Sequence, residues 1–445
     1  MSGLALIVAA CASQPFSSGE SASRGSKDAM SRVADIIGAI TDNYVDPVER
    51  VALVNACWRA LPAPVGASEQ PAENVGEHSL HDVAGVLSRL SPEDADAAAD
   101  ACARSMLASL GGRSEFLDVY DFRDLKGTAG APGAIGLNLA PAAEGAKIVG
   151  AIEGTPADSA AIVPGDLLTT IDDVDLRGRP LKDIIHRLRG EVGSAVTITI
   201  QRDGQAAPLR LTLIRQKLRL KLEGHLLEPG FVLLKTSQLN LATPNDLTQT
   251  VARLRRDSND KIRGIVLDLR DCSGGLLIEA VALSAAFLPP GTLVTETRGR
   301  APDSNRRYSA DARDYGEAHG RDPIADLPPE FKSAPMVVLI GPKTASGAEI
   351  VASALKDNKR ATLVGQRSFG EGTIETIIPL RGKGTGIKIT TARVYRASGE
   401  ELQGKGLKPD VVVEQPAQPG DRASAGDRAV TQALEILKSD SSARR

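Results

Sequence analysis

Residues 265–277 read IVLDLRDCSGGLL, and residues 336–350 read MVVLIGPKTASGAEI. Each stretch begins with a mostly apolar run of strand length, passes through a turn that contains glycine, and continues into a helical pattern. Apolar runs of this length, bounded by turn residues, are typical of strands that are buried on both faces of a sheet. The two strand–turn–helix junctions therefore predict an α/β core, with polar and glycine residues at the ends of its strands.

The same alternation of strands and helices extends over residues 219–418, which we interpret as one α/β domain. A strand is predicted at Phe231–Leu234 and a helix at Thr243–Arg255, where Pro244 occupies a favourable first position. A helix at Ala429–Leu437 lies within a C-terminal segment, residues 419–445, that ends in a charged tail.

Residues 28–128 are predicted to form a helical domain. Helices are expected near 28–44, 51–61, 81–90 and 92–110, because apolar residues recur there with helical spacing. Pro62–His78 is rich in Pro, Ala, Gly and Glu and is expected to be a loop or an insertion. No residue in this domain indicates chemistry.

Residues 129–218 have a pattern of short strands and turns. Strands are predicted around Lys147–Val149 and Ala195–Ile200, with a G-x-P-A turn, a P-G-D turn and a helix at Leu181–Leu188 between them. This order resembles a PDZ domain. Ile135, Gly136 and Leu137 resemble the PDZ loop whose N–H groups hold the carboxylate of a peptide C-terminus. Such a domain adds a peptide to its sheet edge, and the alternative is a rigid spacer or gate.

Ser346 lies where the second junction enters its helix. From this segment alone it is either a helix N-cap or a nucleophile on a strand-to-helix turn. Gly274 and Gly275 allow the first junction to expose backbone N–H groups at a helix start, which suits a developing oxyanion.

Many further motifs in chain order resemble the C-terminal processing peptidases, which are PDZ-containing serine peptidases also called tail-specific proteases. The similarity runs from Ile36 to Val413 and includes Asn43–Pro47, Asp268–Arg270, Thr344–Ser346, Ser368–Gly370 and Gln403–Gly406. It implies an α/β peptidase core with an inserted PDZ domain and an N-terminal helical domain. It also implies that Ser346 is the nucleophile and that Gly274, Gly275 and Gly347 form the oxyanion hole.

The family's general base is a lysine in the pattern F-G-K-G, but this chain has Glu371 in Phe369–Gly372. Glu375 stands where the family has a glutamine that orients the lysine. A lysine base must be neutral to accept the serine proton, whereas an unperturbed glutamate, with a pKa near 4.3, is a weak base at neutral pH. Lys343 is an alternative base, and Cys272 is interpreted as an idle thiol rather than a second nucleophile.

The N-terminus predicts export. Residues 1–27 resemble a lipoprotein signal and tether, in which Val8–Cys11 would be the processing site and Cys11 the lipid attachment. Cys57 and Cys102 are expected either to form a disulfide or to be two buried thiols. We therefore expect the periplasmic side of a bacterial cell envelope, with membrane contact only through a lipid anchor.

Two functions follow from these residues. The first is a serine endopeptidase that cleaves exported proteins after its PDZ domain binds their C-termini. The second is an impaired peptidase that binds peptides or regulates another protein, because Glu371 replaces the lysine. Neither requires a cofactor or a metal. An adaptor or a homo-oligomer remains open, and a net charge of −3 gives no indication of nucleic-acid binding.

Overall fold

The computed structural model describes residues 18–62, 78–111, 113–119, 121–122, 133–152, 154–160, 162–205, 207–217, 221–258, 262–316, 319–381, 384–414 and 427–443. Cys11 and most of the predicted loop and linker at 62–78 and 126–133 lie outside these residues. The chain divides into a larger unit (residues 1–119, 224–234 and 239–445) and a smaller unit (residues 120–223 and 235–238).

The N-terminal part of the larger unit contains helices α1 (Ser18–Asn43), α2 (Arg50–Ala60), α3 (Leu80–Leu87) and α4 (Pro92–Ser109), followed by strand β1 (Glu115–Leu117). Ser91 caps α4 by accepting from the Asp94 N–H, and Pro92 stands in its first turn. Within the part of the chain that the structure describes, no helix has the length and hydrophobicity needed to span a bilayer.

The described part of the smaller unit contains an antiparallel sheet and short helices. Its strands are β2 (Leu137–Ala142), β3 (Gly145–Ala151), β4 (Leu167–Ile171), β5 (Val174–Asp175), β6 (Ala195–Gln201) and β7 (Leu209–Ile214), and its helices are α5 (Pro156–Ser159) and α6 (Leu181–Leu188). The strand order is β2-β3-β4-β6-β7, with β5 beside β4, so β2 is an edge strand. The predicted PDZ-like order of short strands and helices is therefore present in this unit.

The remaining elements lie between residues 223 and 443, and nearly all of their residues belong to the larger unit. The strands are β8 (Glu223–Glu228), β9 (Phe231–Lys235), β10 (Gly264–Asp268), β11 (Leu293–Gly299), β12 (Arg306–Ser309), β13 (Met336–Ile340), β14 (Thr362–Gly365), β15 (Thr373–Pro379), β16 (Gly386–Arg396) and β17 (Val411–Val412). The helices are α7 (Thr243–Asp257), α8 (Leu277–Ala285), α9 (Ala312–Tyr315), α10 (Gly347–Asp357) and α11 (Arg428–Ala443).

The central sheet has the strand order β17-β14-β13-β10-β9-β8. β10 and β13 are parallel neighbours in register, with Asp268 beside Leu339, and every residue of both strands is buried. Because parallel neighbours end at the same edge of a sheet, the two glycine-containing junctions at residues 269–276 and 341–346 emerge side by side.

A second sheet joins the N-terminal helices to this core. Its order is β1-β16-β11-β12, with β15 also paired to β16, and all its pairings are antiparallel. Residues of α1, α2 and α4 share one apolar cluster with Phe116, Ile387 and Ile389. Helices α1 to α4 belong to the larger unit, where strands of this sheet cover part of their apolar faces.

Cys57 in α2 and Cys102 in α4 form a disulfide in the structure, and both residues are fully buried. The bond joins α2 to α4 through two cysteines that are 45 residues apart in sequence. Of the two alternatives left open by the sequence, the structure shows the bonded one.

Replacing both Cys57 and Cys102 with alanine is expected to lower the free energy of unfolding by about 2–4 kcal/mol, because the open chain gains conformational freedom when unfolded. Denaturant titration of the oxidised protein and of the double variant measures this difference. Adding a reductant to the natural protein is the control, since it should bring its stability close to that of the variant. Equal stability of oxidised protein and variant would contradict the prediction.

Candidate active site

Ser346 occupies a strained turn between β13 and α10. Its φ is +52°, a backbone region that residues other than glycine rarely adopt. Such strain persists only where the surrounding contacts hold it, and it occurs at nucleophile turns that expose a serine hydroxyl at the end of a strand. An ordinary N-cap has extended backbone instead, so the conformation favours the nucleophile over the simple cap.

The two junctions are bonded to each other. The Thr344 hydroxyl donates to the Leu269 carbonyl at 2.8 Å, and the Ala345 N–H donates to the Cys272 carbonyl at 3.1 Å. Thr344 and Ala345 come just before Ser346 in the chain, and Leu269 and Cys272 come before the Gly274–Gly275 pair. These bonds fix the serine turn against the glycine turn.

Positions 274 and 275 require glycine for two reasons: their backbone angles are unfavourable for other residues, and there is no room for a side chain. Their φ values are +93° and +145°. A Cβ on Gly274 would lie 2.8 Å from both the Gly347 nitrogen and the Ser346 Cβ, and one on Gly275 would lie 1.9 Å from the Leu239 carbonyl oxygen. The glycine turn is therefore packed directly against the serine turn.

The N–H groups around Ser346 differ in their partners. Ser346 donates its own N–H to Glu349 Oε2 at 3.1 Å, which removes it as an oxyanion donor. The Gly274 N–H bonds to the Cys272 sulfur. Among the described residues, no protein oxygen accepts from the N–H groups of Gly275 and Gly347, so these two are the candidate donors.

Cys272 is a poor candidate for a second nucleophile. The residue is fully buried, and burial raises the pKa of its thiol to about 11. Because the thiolate is the reactive form, the thiol is inert at neutral pH.

A buried carboxylate on α10 connects the serine turn to the loop that carries the base position. Glu349 is fully buried and accepts from the N–H groups of Ser346, Gly370 and Glu371 and from the Ser368 hydroxyl. Burial raises its pKa, while these four donors act in the opposite direction. Ser346 and Glu371 donate to the same oxygen, Oε2, at 3.1 and 2.8 Å, so their backbone nitrogens are close neighbours.

Glu371, at the family's lysine position, has a buried side chain that is 5% exposed. Its Oε2 lies 2.7 Å from Nη2 of Arg113, whose side chain is 54% exposed. Burial raises the pKa of Glu371, Arg113 lowers it, and the carboxylates of Glu375 and Glu349 raise it further. A weaker lowering comes from Lys388.

The other candidates have different surroundings. Glu375 Oε1 accepts from the Thr373 hydroxyl at 2.7 Å. Lys343, the alternative base, is two-thirds exposed, with its Nζ 3.5 Å from an oxygen of Asp271. Lys388 forms an ion pair with Glu115 across β16 and β1.

Two residues of this arrangement were not assigned a role from sequence. Glu349 stands three residues after Ser346, in the spacing of a capping box, so its pairing with the Ser346 N–H had a local signal. No local sequence signal indicated Arg113, because the pairing of β1 with β16 is what brings it to Glu371.

The predicted peptide-binding loop lies in the smaller unit, before the edge strand β2. Ile135 is buried, and Gly136 has a φ of +85° with the Thr155 side chain packed against it, so that a Cβ there would lie within 2.3–2.6 Å of Thr155 atoms. The loop is thus held by close packing beside β2, which is an edge strand of the sheet formed by the described residues.

These features define a serine peptidase with a PDZ domain. Models of peptidase family S41 and of the PDZ domain match residues 230–413 and 147–202, respectively. A carboxy-terminal-processing protease of Bartonella bacilliformis is 36% identical over 70% of this chain and 68% of its own length. The chain therefore belongs to the carboxy-terminal-processing protease family, as its motifs indicated.

Other relatives agree with this assignment. A carboxyl-terminal-processing protease of Synechocystis is 31% identical over 65% of this chain and 64% of its own length. A solved photosystem II D1 C-terminal processing protease is 25% identical, with a TM-score of 0.55 over 87% of this chain and 93% of that one.

Gly274→Ala is expected to reduce kcat by about 10²–10³-fold, because its Cβ would displace the Gly347 N–H from an oxyanion. Gly399→Ala is the matched control: its φ of +87° resembles that of Gly274, but no atom lies within 4 Å of the added carbon. Both variants should lose about 1–2 kcal/mol of stability to backbone strain. Peptidase kinetics and thermal unfolding separate the two effects, and equal rates in both variants would contradict the prediction.

Proposed function

We propose that this chain is an endopeptidase that cleaves polypeptides through an acyl-enzyme on Ser346. The observation that carries the proposal is the strained serine turn packed against a glycine turn, with two N–H groups available at one place. The serine oxygen would attack the scissile carbonyl, and its proton would pass through a base to the leaving amine. Water would then hydrolyse the ester and release the second product.

The Gly275 and Gly347 N–H groups would bind the negative oxygen that develops during both steps. Such donors are effective because they are already oriented when the charge forms. Here the orientation is supported by the hydrogen bonds from Thr344 and Ala345 that join the two turns.

Glu371 would be the general base. It occupies the family's lysine position, and its backbone is tied to the same carboxylate oxygen as Ser346. Burial raises its pKa above the ordinary glutamate value, toward the range in which a carboxylate is a better base. An ionised Glu371 would act at lower pH than a lysine, which must first lose its proton.

The substrate is expected to present apolar side chains at the cleaved bond. Leu241, Leu276 and Phe369 are exposed by 52%, 47% and 64%. Leu276 follows the candidate oxyanion donor Gly275, Leu241 lies on the Leu239 loop that pairs with Gly275, and the Phe369 N–H donates to the Thr344 carbonyl. Exposed apolar residues grouped around a reactive centre indicate an apolar ligand.

The PDZ domain would bind the C-termini of these substrates as an added strand along β2, with the carboxylate at Ile135, Gly136 and Leu137. Export to the periplasmic side of a cell envelope, with lipid attachment at Cys11, is part of the proposal. The Cys57–Cys102 disulfide supports it, because structural disulfides are stable in oxidising compartments. An adaptor or self-association remains compatible with this function.

Ser346→Ala is expected to abolish cleavage of an unfolded protein with an apolar C-terminus, and Glu371→Gln to lower kcat by about 10⁴-fold or more. Glu400→Gln is the matched control, since it removes an exposed carboxylate that pairs with Arg396 and does not contribute to the charges around Glu371. Gel-based cleavage and single-turnover kinetics measure the rates. Cleavage that persists in Ser346→Ala would refute the proposal, and peptide binding without cleavage in the natural protein would favour the binding-protein alternative.

Amidation of the substrate's C-terminus is expected to weaken substrate binding by at least about tenfold, because buried N–H donors would lose a charged acceptor. KM should rise with little change in kcat. Isothermal titration of a free-acid peptide and its amide measures the same difference. Equal affinity for the two peptides would exclude carboxylate recognition.

A further inference from the structure

We propose that Arg113 is a positioning residue for Glu371, so that an arginine–glutamate pair replaces the single lysine of the family. The inference rests on the proposed function of Glu371 as the base. One of the experiments below requires no turnover, so the role of Arg113 and the proposed function of Glu371 can be refuted separately.

The first argument is burial. The Glu371 side chain is 5% exposed, and an ionised carboxylate at such a depth is costly unless a cation accompanies it. The Arg113 guanidinium supplies that charge, with Nη2 2.7 Å from Oε2. The pair therefore makes an ionised Glu371 compatible with its buried position.

The second argument is the charge balance around Glu371. Every element that faces it contributes a charged group: Glu375 from β15, Glu349 from α10, Lys388 from β16, and Arg113 from the residues before β1. The two carboxylates favour the protonated form, and Lys388 is already paired with Glu115. In the described part of the chain, Arg113 makes no other ion pair, so it is the cation committed to Glu371.

The third argument is orientation. The Glu371 N–H is fixed on Glu349 Oε2, and the neighbouring Gly370 N–H is fixed on Glu349 Oε1. The backbone is therefore held, and the remaining freedom is that of the side chain. Arg113 Nη2 lies 2.7 Å from Oε2, but this oxygen accepts no hydrogen bond among the described residues, so the guanidinium acts on it as a nearby charge. Oε1 would accept the serine proton, which would then be transferred to the leaving amine.

Arg113→Gln is expected to move the acid limb of the kcat/KM–pH profile to higher pH by about one unit, because Glu371 without its cation is protonated more easily. Cleavage in the middle of the displaced limb should fall by about tenfold, and it should recover as pH rises. Arg113→Lys should restore most of the natural profile, since it returns the charge.

Arg313→Gln is the matched control. Arg313 forms an ion pair with Asp311, its side chain is 88% exposed, and its replacement should leave the profile unchanged. An unchanged acid limb in Arg113→Gln would overturn the inference. So would a loss of rate by the same factor at every pH, which a merely structural role would produce.

A titration without catalysis separates the inference from the proposed function. Infrared difference spectra of Ser346→Ala protein, assigned by adding Glu371→Gln, report the protonation of this one carboxyl group. Its midpoint should rise when Arg113→Gln is added to Ser346→Ala. An unmoved midpoint refutes the role of Arg113, whereas absence of Ser346-dependent cleavage in the natural protein refutes the function instead.

Discussion

The geometry of the site depends on the Glu349 carboxylate. A carboxylate has about four lone-pair positions, and Glu349 uses them for the N–H groups of Ser346, Gly370 and Glu371 and for the Ser368 hydroxyl. These donors belong to two chain segments, the serine turn and the loop of the base position. Because the side chain is fully buried, loss of any donor would leave polar groups unsatisfied, so each segment stabilises the other.

The exchange of lysine for Glu371 reverses the sign of the charge at the base position. A lysine base is helped by burial, because desolvation favours its neutral, reactive form. For a carboxylate, burial strengthens the base but also favours the protonated, unreactive form. A buried glutamate therefore needs a nearby cation to remain ionised at neutral pH, and too strong a cation would weaken it as a base. The Arg113 side chain is about half exposed, so solvent screens its charge and its effect on the pKa of Glu371 is moderate.

The features that could be predicted from the sequence are those determined by residues close together in the chain. Buried strands before Gly274 and Ser346, the edge loop around Gly136 and the fold class all followed from local periodicity and motifs. The capping-box spacing of Ser346 and Glu349 offered a local signal for the bond between them, but the links from Glu349 to Ser368, Gly370 and Glu371 join segments that are distant in sequence and had none. Nor did sequence patterns predict Arg113, because its contact requires β1 to pair with β16, and the same pairing joins the N-terminal helices to the core.

The way Glu371 is held also explains how such an exchange can occur without rebuilding the site. Glu349 holds the loop by accepting from the backbone N–H groups of Gly370 and Glu371. These groups are present whatever side chain stands at position 371. The oxyanion donors are likewise backbone groups, fixed by glycine geometry and by bonds between the two turns. Position 371 is thus free to change its chemistry while the scaffold keeps its shape. The cost of the change is confined to charge, and Arg113, contributed by a segment outside both turns, acts against part of it by lowering the pKa that burial raises.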